Sequence, residues 1–263
     1  RKMGGLKKYM PITYWTFLMG ALALIGFPGF AGFFSKDSII EAVHISTVPG
    51  AGFAYAAVLI GVFITALYTF RMFFLVFHGK ERMDEHTRHH LHESPPVVTV
   101  PLVLLAIPSV IIGALAIGPL QFGDFFGHAI LVLPEHNVLE VLAAEYHGAF
   151  NFILHGMTAP AVWLSFLGVG VAWFLYLKRP DIADEIKQRF PGIYRLLDRK
   201  YGADDFNDAV FAGGSRSLGR FLWRSGDIKL IDGVMVNGIA FSIGKLSGVV
   251  RRVQSGFLYH YAF

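Results

Sequence analysis

The chain has 263 residues, 54% of them hydrophobic and only 16% charged, with a formal net charge of +4 and no cysteine. Soluble domains carry closer to a quarter charged residues, so the composition points to a polytopic all-α membrane protein. The lack of cysteine excludes disulfides, thiolate metal sites and iron–sulfur clusters within this chain.

The first apolar region runs from Pro11 to about Val48. A straight helix of that length would reach ~55 Å, against a hydrocarbon core of ~30 Å. Gly26-Phe27-Pro28-Gly29-Phe30-Ala31-Gly32 supplies the break. Two half-helices are expected, roughly Pro11–Phe27 and Ala31–Ser46, joined by an irregular segment that protein or a polar cavity must cover. The second region, Ala51 to Phe77, reads as one helix with Arg71 near its end. The third, Pro95 to Gly118, has Pro101 and Pro108 as expected kinks. The fourth, Phe150 to Leu177, contains His155 and Pro160 and stops against Lys178-Arg179.

Lys and Arg set the expected orientation. Arg1, Lys2, Lys7 and Lys8 precede the first region, Lys80, Arg82 and Arg88 follow the second, and Lys178 and Arg179 follow the fourth. The connections Thr47–Gly50 and Pro119–Ala149 hold none, and the latter carries Asp124, Glu135, Glu140 and Glu145. Four crossings with the N-terminus and tail cytoplasmic are expected. Residues 1–179 form the transmembrane part and 180–263 the tail. From about Asp204, Ile228, Ile231, Met235, Ile239, Ile243, Leu246, Val250, Val253 and Phe257 recur at steps of three or four, with Lys229, Asp232, Lys245, Arg251 and Arg252 between them. That pattern predicts a long amphipathic helix, bent or segmented at its glycines, rather than a span. The opening Arg1 and the aromatic end at Tyr259–Phe263 read as a piece of a longer protein, cut before a further span.

Lys36 is the residue that bears most on function. Burial disfavours the charged form of a lysine, and proteins that keep one at a membrane break use it to hold or pass a proton. An interfacial snorkelling lysine is the alternative, and it would be the only Lys or Arg on the translocated side. Asp37 and Glu41, one helical turn apart, share a face beside it. Arg71 and His155 are further candidates for coupling, with snorkelling and structural roles as their plainer readings. His78, His86, His89, His90 and His92 crowd one polar loop whose charges mark it as hydrated, so no metal site is assigned there. No phosphate-binding loop, nucleophile–base pair or nucleic-acid patch is present.

Met3-Gly4-Gly5-Leu6, Gly29–Asp37, Leu67-Tyr68-Thr69-Phe70-Arg71-Met72 and Val76–Glu81 together resemble subunit L of bacterial NADH:quinone oxidoreductase, respiratory complex I. The resemblance extends through the fourth region and weakens after Pro180. It implies an antiporter-like, proton-pumping subunit of the bacterial inner membrane, with Lys36 at the break of an interrupted helix and Asp37 toward the outward exit. It also implies that the tail is a lateral helix running along neighbouring complex I membrane subunits, with Asp208 an acidic position early in it. It implies no redox cofactor in this chain, because the electron-transfer sites belong to other subunits. A multisubunit cation/proton antiporter and a purely structural membrane brace are the competing readings.

Overall fold

The computed structural model describes residues 3–130, 132–133, 136–253, 255–260 and 262; Arg1, Lys2 and Glu135 lie outside them. Among the described residues every regular element is helical. The chain divides into two compact units, Arg1–Ile186 and Lys187–Phe263.

In the first unit the leading apolar region is two helices, α1 (Pro11–Ile25) and α2 (Ala31–Ile45). Next come α3 (Ala51–Phe77), the short α4 (Glu85–His89) and α5 (Pro96–Ile117). Then α6 (Val138–Glu145), α7 (Ala149–Gly156) and α8 (Pro160–Trp173) complete the bundle. Both α1 and α2 pack on α3 and on α5. The two half-helices therefore follow one another along the same neighbours, as one interrupted crossing. Helix α5 runs through both of its internal prolines. Helix α8 continues to Lys178, giving a 19-residue apolar stretch.

The fourth region departs from the sequence reading. It is two helices, because Pro160 has no N–H to continue α7 and forces Ala159 into the extended conformation (φ −66°, ψ 142°). His155 therefore lies in the last turn of short α7, not inside the span that starts at Pro160.

The ends of the bundle differ in charge. The Gly5 N–H donates to the His78 carbonyl at 3.2 Å, and Arg82 Nε donates to the Met3 carbonyl at 2.7 Å. The start of α1, the end of α3 and the end of α8 thus meet, and Arg71 lies over the Tyr176 ring there. Glu81 pairs with Lys8 and with Arg88 in the same cluster. The Lys8 hydrogen bond holds the Glu81 carboxyl below the usual glutamate range. At the other end Tyr146, Ala149, Phe152 and Ile153 close over Phe33, Phe34 and Ile117.

Helix α1 receives its N-terminal cap from a distant residue. Glu93 Oε2 accepts from the Ile12 N–H at 2.6 Å and the Thr13 N–H at 3.3 Å, and its Oε1 accepts from Thr13 Oγ1 at 2.7 Å. Burial pushes this carboxyl up, but its bonds from Thr13, Ser94 and Ile12 outweigh that and hold it below the ordinary 4.5.

Small residues let the helices approach closely, as membrane bundles require. A Cβ on Gly32 would stand 1.8 Å from the Ala23 carbonyl oxygen, and one on Gly168 would stand 2.6 Å from that of Phe63.

In the second unit Lys200, Tyr201 and Gly202 take left-handed backbone conformations, and a continuous helical run then extends from Ala203 to Arg252. Its glycines do not segment it: Gly213, Gly219, Gly226, Gly233, Gly238, Gly244 and Gly248 all lie within the run. Wide π-type turns at Asp208–Ala212 and Trp223–Asn237 absorb irregularity without breaking the helix. The run is long and apolar enough to cross a membrane. Its length of ~75 Å is far beyond a single ~30 Å crossing.

Two outcomes are expected. Gly32→Ala destabilises the protein by about 1–3 kcal/mol through overpacking, whereas Gly20→Ala, which faces open space, is tolerated; thermal melts of the purified variants check this. Glu93→Ala costs about 1 kcal/mol through loss of the cap. Because the folded carboxyl titrates below the unfolded one, its contribution is present above the unfolded pKa. It is lost as pH falls through the folded value, in acid below 4.5. Melts of wild type and variant should converge there.

Candidate functional site

The site is built on the interruption between α1 and α2. Gly26 takes the left-handed conformation (φ 75°) that ends α1. Its N–H donates to the Ala23 carbonyl at 3.1 Å, and the Phe27 N–H donates to the Leu22 carbonyl at 2.9 Å. This paired arrangement satisfies two of the carbonyls a helix leaves open at its C-terminus. Leu24 offers another, and Lys36 Nζ donates a hydrogen bond to it. The carbonyl end of a helix carries partial negative charge, so an ammonium is suited to that place. The Lys36 stem passes Gly26, where a Cβ would lie 3.5 Å from its Cδ.

Lys36 and Asp37 are adjacent in α2 and open onto different spaces. Lys36 lines an apolar cleft of about 250 Å³ with Ile39, Ile40, Val58, Gly61 and Thr65. Asp37 and Glu41 line a cavity of about 260 Å³ between α2, α6 and α7. Its other polar walls include Glu145, Tyr146, His147, Asn151 and His155. A gap of about 10 Å³, lined by Ile25, Phe33, Ile40, Val62 and Val162, touches both Lys36 and Asp37. Lys36, Asp37 and Glu41 are each partly buried, whereas Glu145, His147 and His155 are exposed, so the carboxylate cavity opens outward.

Gly156 sets how closely α7 approaches Asp37. A Cβ there would meet Phe33 Cζ at 2.4 Å and Asp37 Oδ2 at 2.8 Å. Around the cavity, His147 Nδ1 lies 2.8 Å from the Glu145 carbonyl, and Asn151 Nδ2 donates to the His147 carbonyl at 3.1 Å. Glu41 Oε1 is 3.6 Å from His44 Nδ1.

The structure brings Asp37, Glu41 and His155 together in one cavity, sets Lys36 beside Asp37 on a separate cleft, and leaves two other candidates elsewhere. Arg71 lies toward the Lys/Arg-rich end, 5.4 Å over the Tyr176 ring. Asp208 belongs to the second unit, where Arg216 Nη2 donates to its carboxylate at 3.2 Å. In the histidine loop, His86 and His90 lie with ring centres 4.8 Å apart. Among the described residues no group of three metal-binding side chains forms. Sequence reasoning did not assign His147, Asn151 or Tyr146 to the site. Their only signal is the fold of α6 and α7 over α2.

Residues 1–65 match the family described as NADH:quinone oxidoreductase/Mrp antiporter, TM. A NADH-quinone oxidoreductase subunit L of Neisseria meningitidis serogroup A is 48% identical over 279 residues, covering 100% of this chain and 41% of that protein. The subunit L of Rhodobacter capsulatus is 32% identical over 330 residues, covering 100% of this chain and 45% of its own length. The NADH-ubiquinone oxidoreductase chain 5 of Marchantia polymorpha is 32% identical over 273 residues, with 100% and 39% covered. The chain spans about two fifths of the length of these relatives. Along its whole length the chain is similar to subunit L of NADH-quinone oxidoreductases, and over residues 1–65 to an antiporter-related membrane family.

Proposed function

We propose that this chain is the part of a complex I membrane-arm subunit that carries protons toward the outer face of a bacterial inner membrane, driven by quinone reduction in other subunits. The observation that carries the reading is the Lys36 ammonium, held on the Leu24 carbonyl at a helix break beside a cavity lined by carboxylates. Lys36 is the group that gains and loses the proton. Asp37 and Glu41 receive it on the outward side, and His155, Glu145 and His147 line the way out. The Lys/Arg-rich end of the bundle then faces the cytoplasm, together with the N-terminus and the tail. The tail helix contacts neighbouring membrane subunits, and this chain needs no redox cofactor for its part.

The energies are commensurate. Moving a proton across the membrane potential is worth ~2.3 kcal/mol per 100 mV. Shifting an ionisable group by two pKa units is worth ~2.7 kcal/mol, so modest movements of charge near Lys36 are the right size to drive release.

A multisubunit cation/proton antiporter is the second reading, because the matched family description includes Mrp antiporters. Co-purification with redox subunits favours the first reading, and sodium-dependent transport without them favours the second.

Lys36→Met in the intact complex is expected to abolish most proton pumping while assembly and quinone reduction by the peripheral arm persist. Asp37→Asn is expected to slow release without removing the ammonium. The proton-to-electron ratio in reconstituted vesicles checks both, and an assembled Lys36→Met complex with a normal ratio rejects the assignment.

A further inference from the structure

The Lys/Arg-rich end of the bundle holds a separate cavity of about 390 Å³ that the proton site does not use. Tyr68, Met72 and Leu75 line it along one face of α3, and Met3 closes its side. Among the described residues its two charged groups are Arg71 and Arg82, and no acidic residue lines it.

The two guanidiniums are placed differently. Arg82 is fixed, its Nε donating to the Met3 carbonyl at 2.7 Å and its Nη2 to the Leu75 carbonyl at 2.7 Å. Neither bond uses Nη1. Arg71 is exposed and lies over the Tyr176 ring, and among the described residues it has no ion pair or hydrogen bond. Two cations lining one acid-free cavity repel each other unless an anion sits between them. A guanidinium presents paired N–H groups that match phosphate oxygens.

Depth selects the class of anion. Arg71 is six residues before the end of α3 at Phe77, ~9 Å along the axis, which suits the headgroup region of a bilayer. Met72 lies level with Arg71, Tyr68 lies one turn deeper, and the exposed apolar face continues inward through Ile64 and Ile60. Free phosphate, or a carboxylate from another polypeptide, would have no use for that face, whereas an acyl chain would cover it. We propose that this cavity binds an anionic phospholipid, with the phosphodiester between Arg71 and Arg82 and one acyl chain along Tyr68 and Met72. Basic pockets at the cytoplasmic ends of membrane helices recognise such headgroups.

The test uses the full complex, delipidated in detergent and equilibrated with vesicles of phosphatidylglycerol and phosphatidylcholine. Native mass spectrometry then counts the lipids retained. Wild type is expected to retain phosphatidylglycerol in preference to phosphatidylcholine. Arg71→Gln should lower that preference roughly fivefold, and Arg71→Lys should keep part of it. Arg82→Gln also removes two backbone ties, so the Arg71 variants are the decisive ones. Unchanged preference in Arg71→Gln overturns the proposal, including the case in which another polypeptide fills the cavity. Loss of phosphatidylglycerol to excess inorganic phosphate, but not to chloride of equal ionic strength, assigns the site to free phosphate and also overturns it.

Discussion

A helix that stops inside a membrane leaves carbonyls with no water to pair with, and the rest of this bundle is arranged around that constraint. Gly26 and Phe27 turn back onto Ala23 and Leu22, and Lys36 reaches back from the next half-helix to Leu24. The cation is thereby held by the backbone rather than by a carboxylate. A counter-ion would lock the charged form, whereas a backbone carbonyl satisfies the ammonium without adding a full opposite charge. The interruption is what lets a lysine at this place be held on a backbone carbonyl. Such helix ends at membrane depth are the usual ion-holding elements of transporters.

Holding the break closed requires the surrounding helices to come very near. Gly32 lies against the Ala23 carbonyl, Gly113 against Ala31 and Phe34, and Gly156 against Phe33 and Asp37. The first contact joins the two half-helices, and the other two press on the second. Close backbone approach replaces the hydrophobic drive that lipid cannot supply. The Glu93 carboxylate at the start of α1 and the Lys36 ammonium at its end complement the helix dipole at both termini. The first half-helix is therefore positioned electrostatically at both ends by residues outside it.

Much of this was legible in the amino acids. The length of the first region against the bilayer, with Gly and Pro at Gly26–Gly32, required a broken helix, and the structure has one. The apolar runs of α3 and α5 were equally plain. The fourth region was not, because a continuous apolar run hid the stop that Pro160 imposes, and His155 moved out of the span with it. The tail glycines act unequally: Gly202 takes a left-handed conformation at the start of the tail helix, whereas those from Gly213 onward each weaken a helix by only about 1 kcal/mol and the run from Ala203 to Arg252 continues through them. Glu93 could not be found as a cap, since capping rules look at the residue just before a helix and this one lies 80 or more positions further on. His147 and Asn151 join the cavity only through the packing of α6 and α7, which no local pattern encodes.

Adjacency in sequence has an unexpected consequence at Lys36 and Asp37. Successive residues on a helix point about 100° apart, so the two charges open onto separate spaces. The gap that touches both is about 10 Å³ and is walled by Ile25, Phe33, Ile40, Val62 and Val162. That is at the lower limit of room for one water, and apolar walls offer it no partners. In this conformation the ammonium and the carboxylate are neighbours along the chain but not along a hydrated path. A hydrated path between them requires α2 to separate from Val62 and Val162, on α3 and α8.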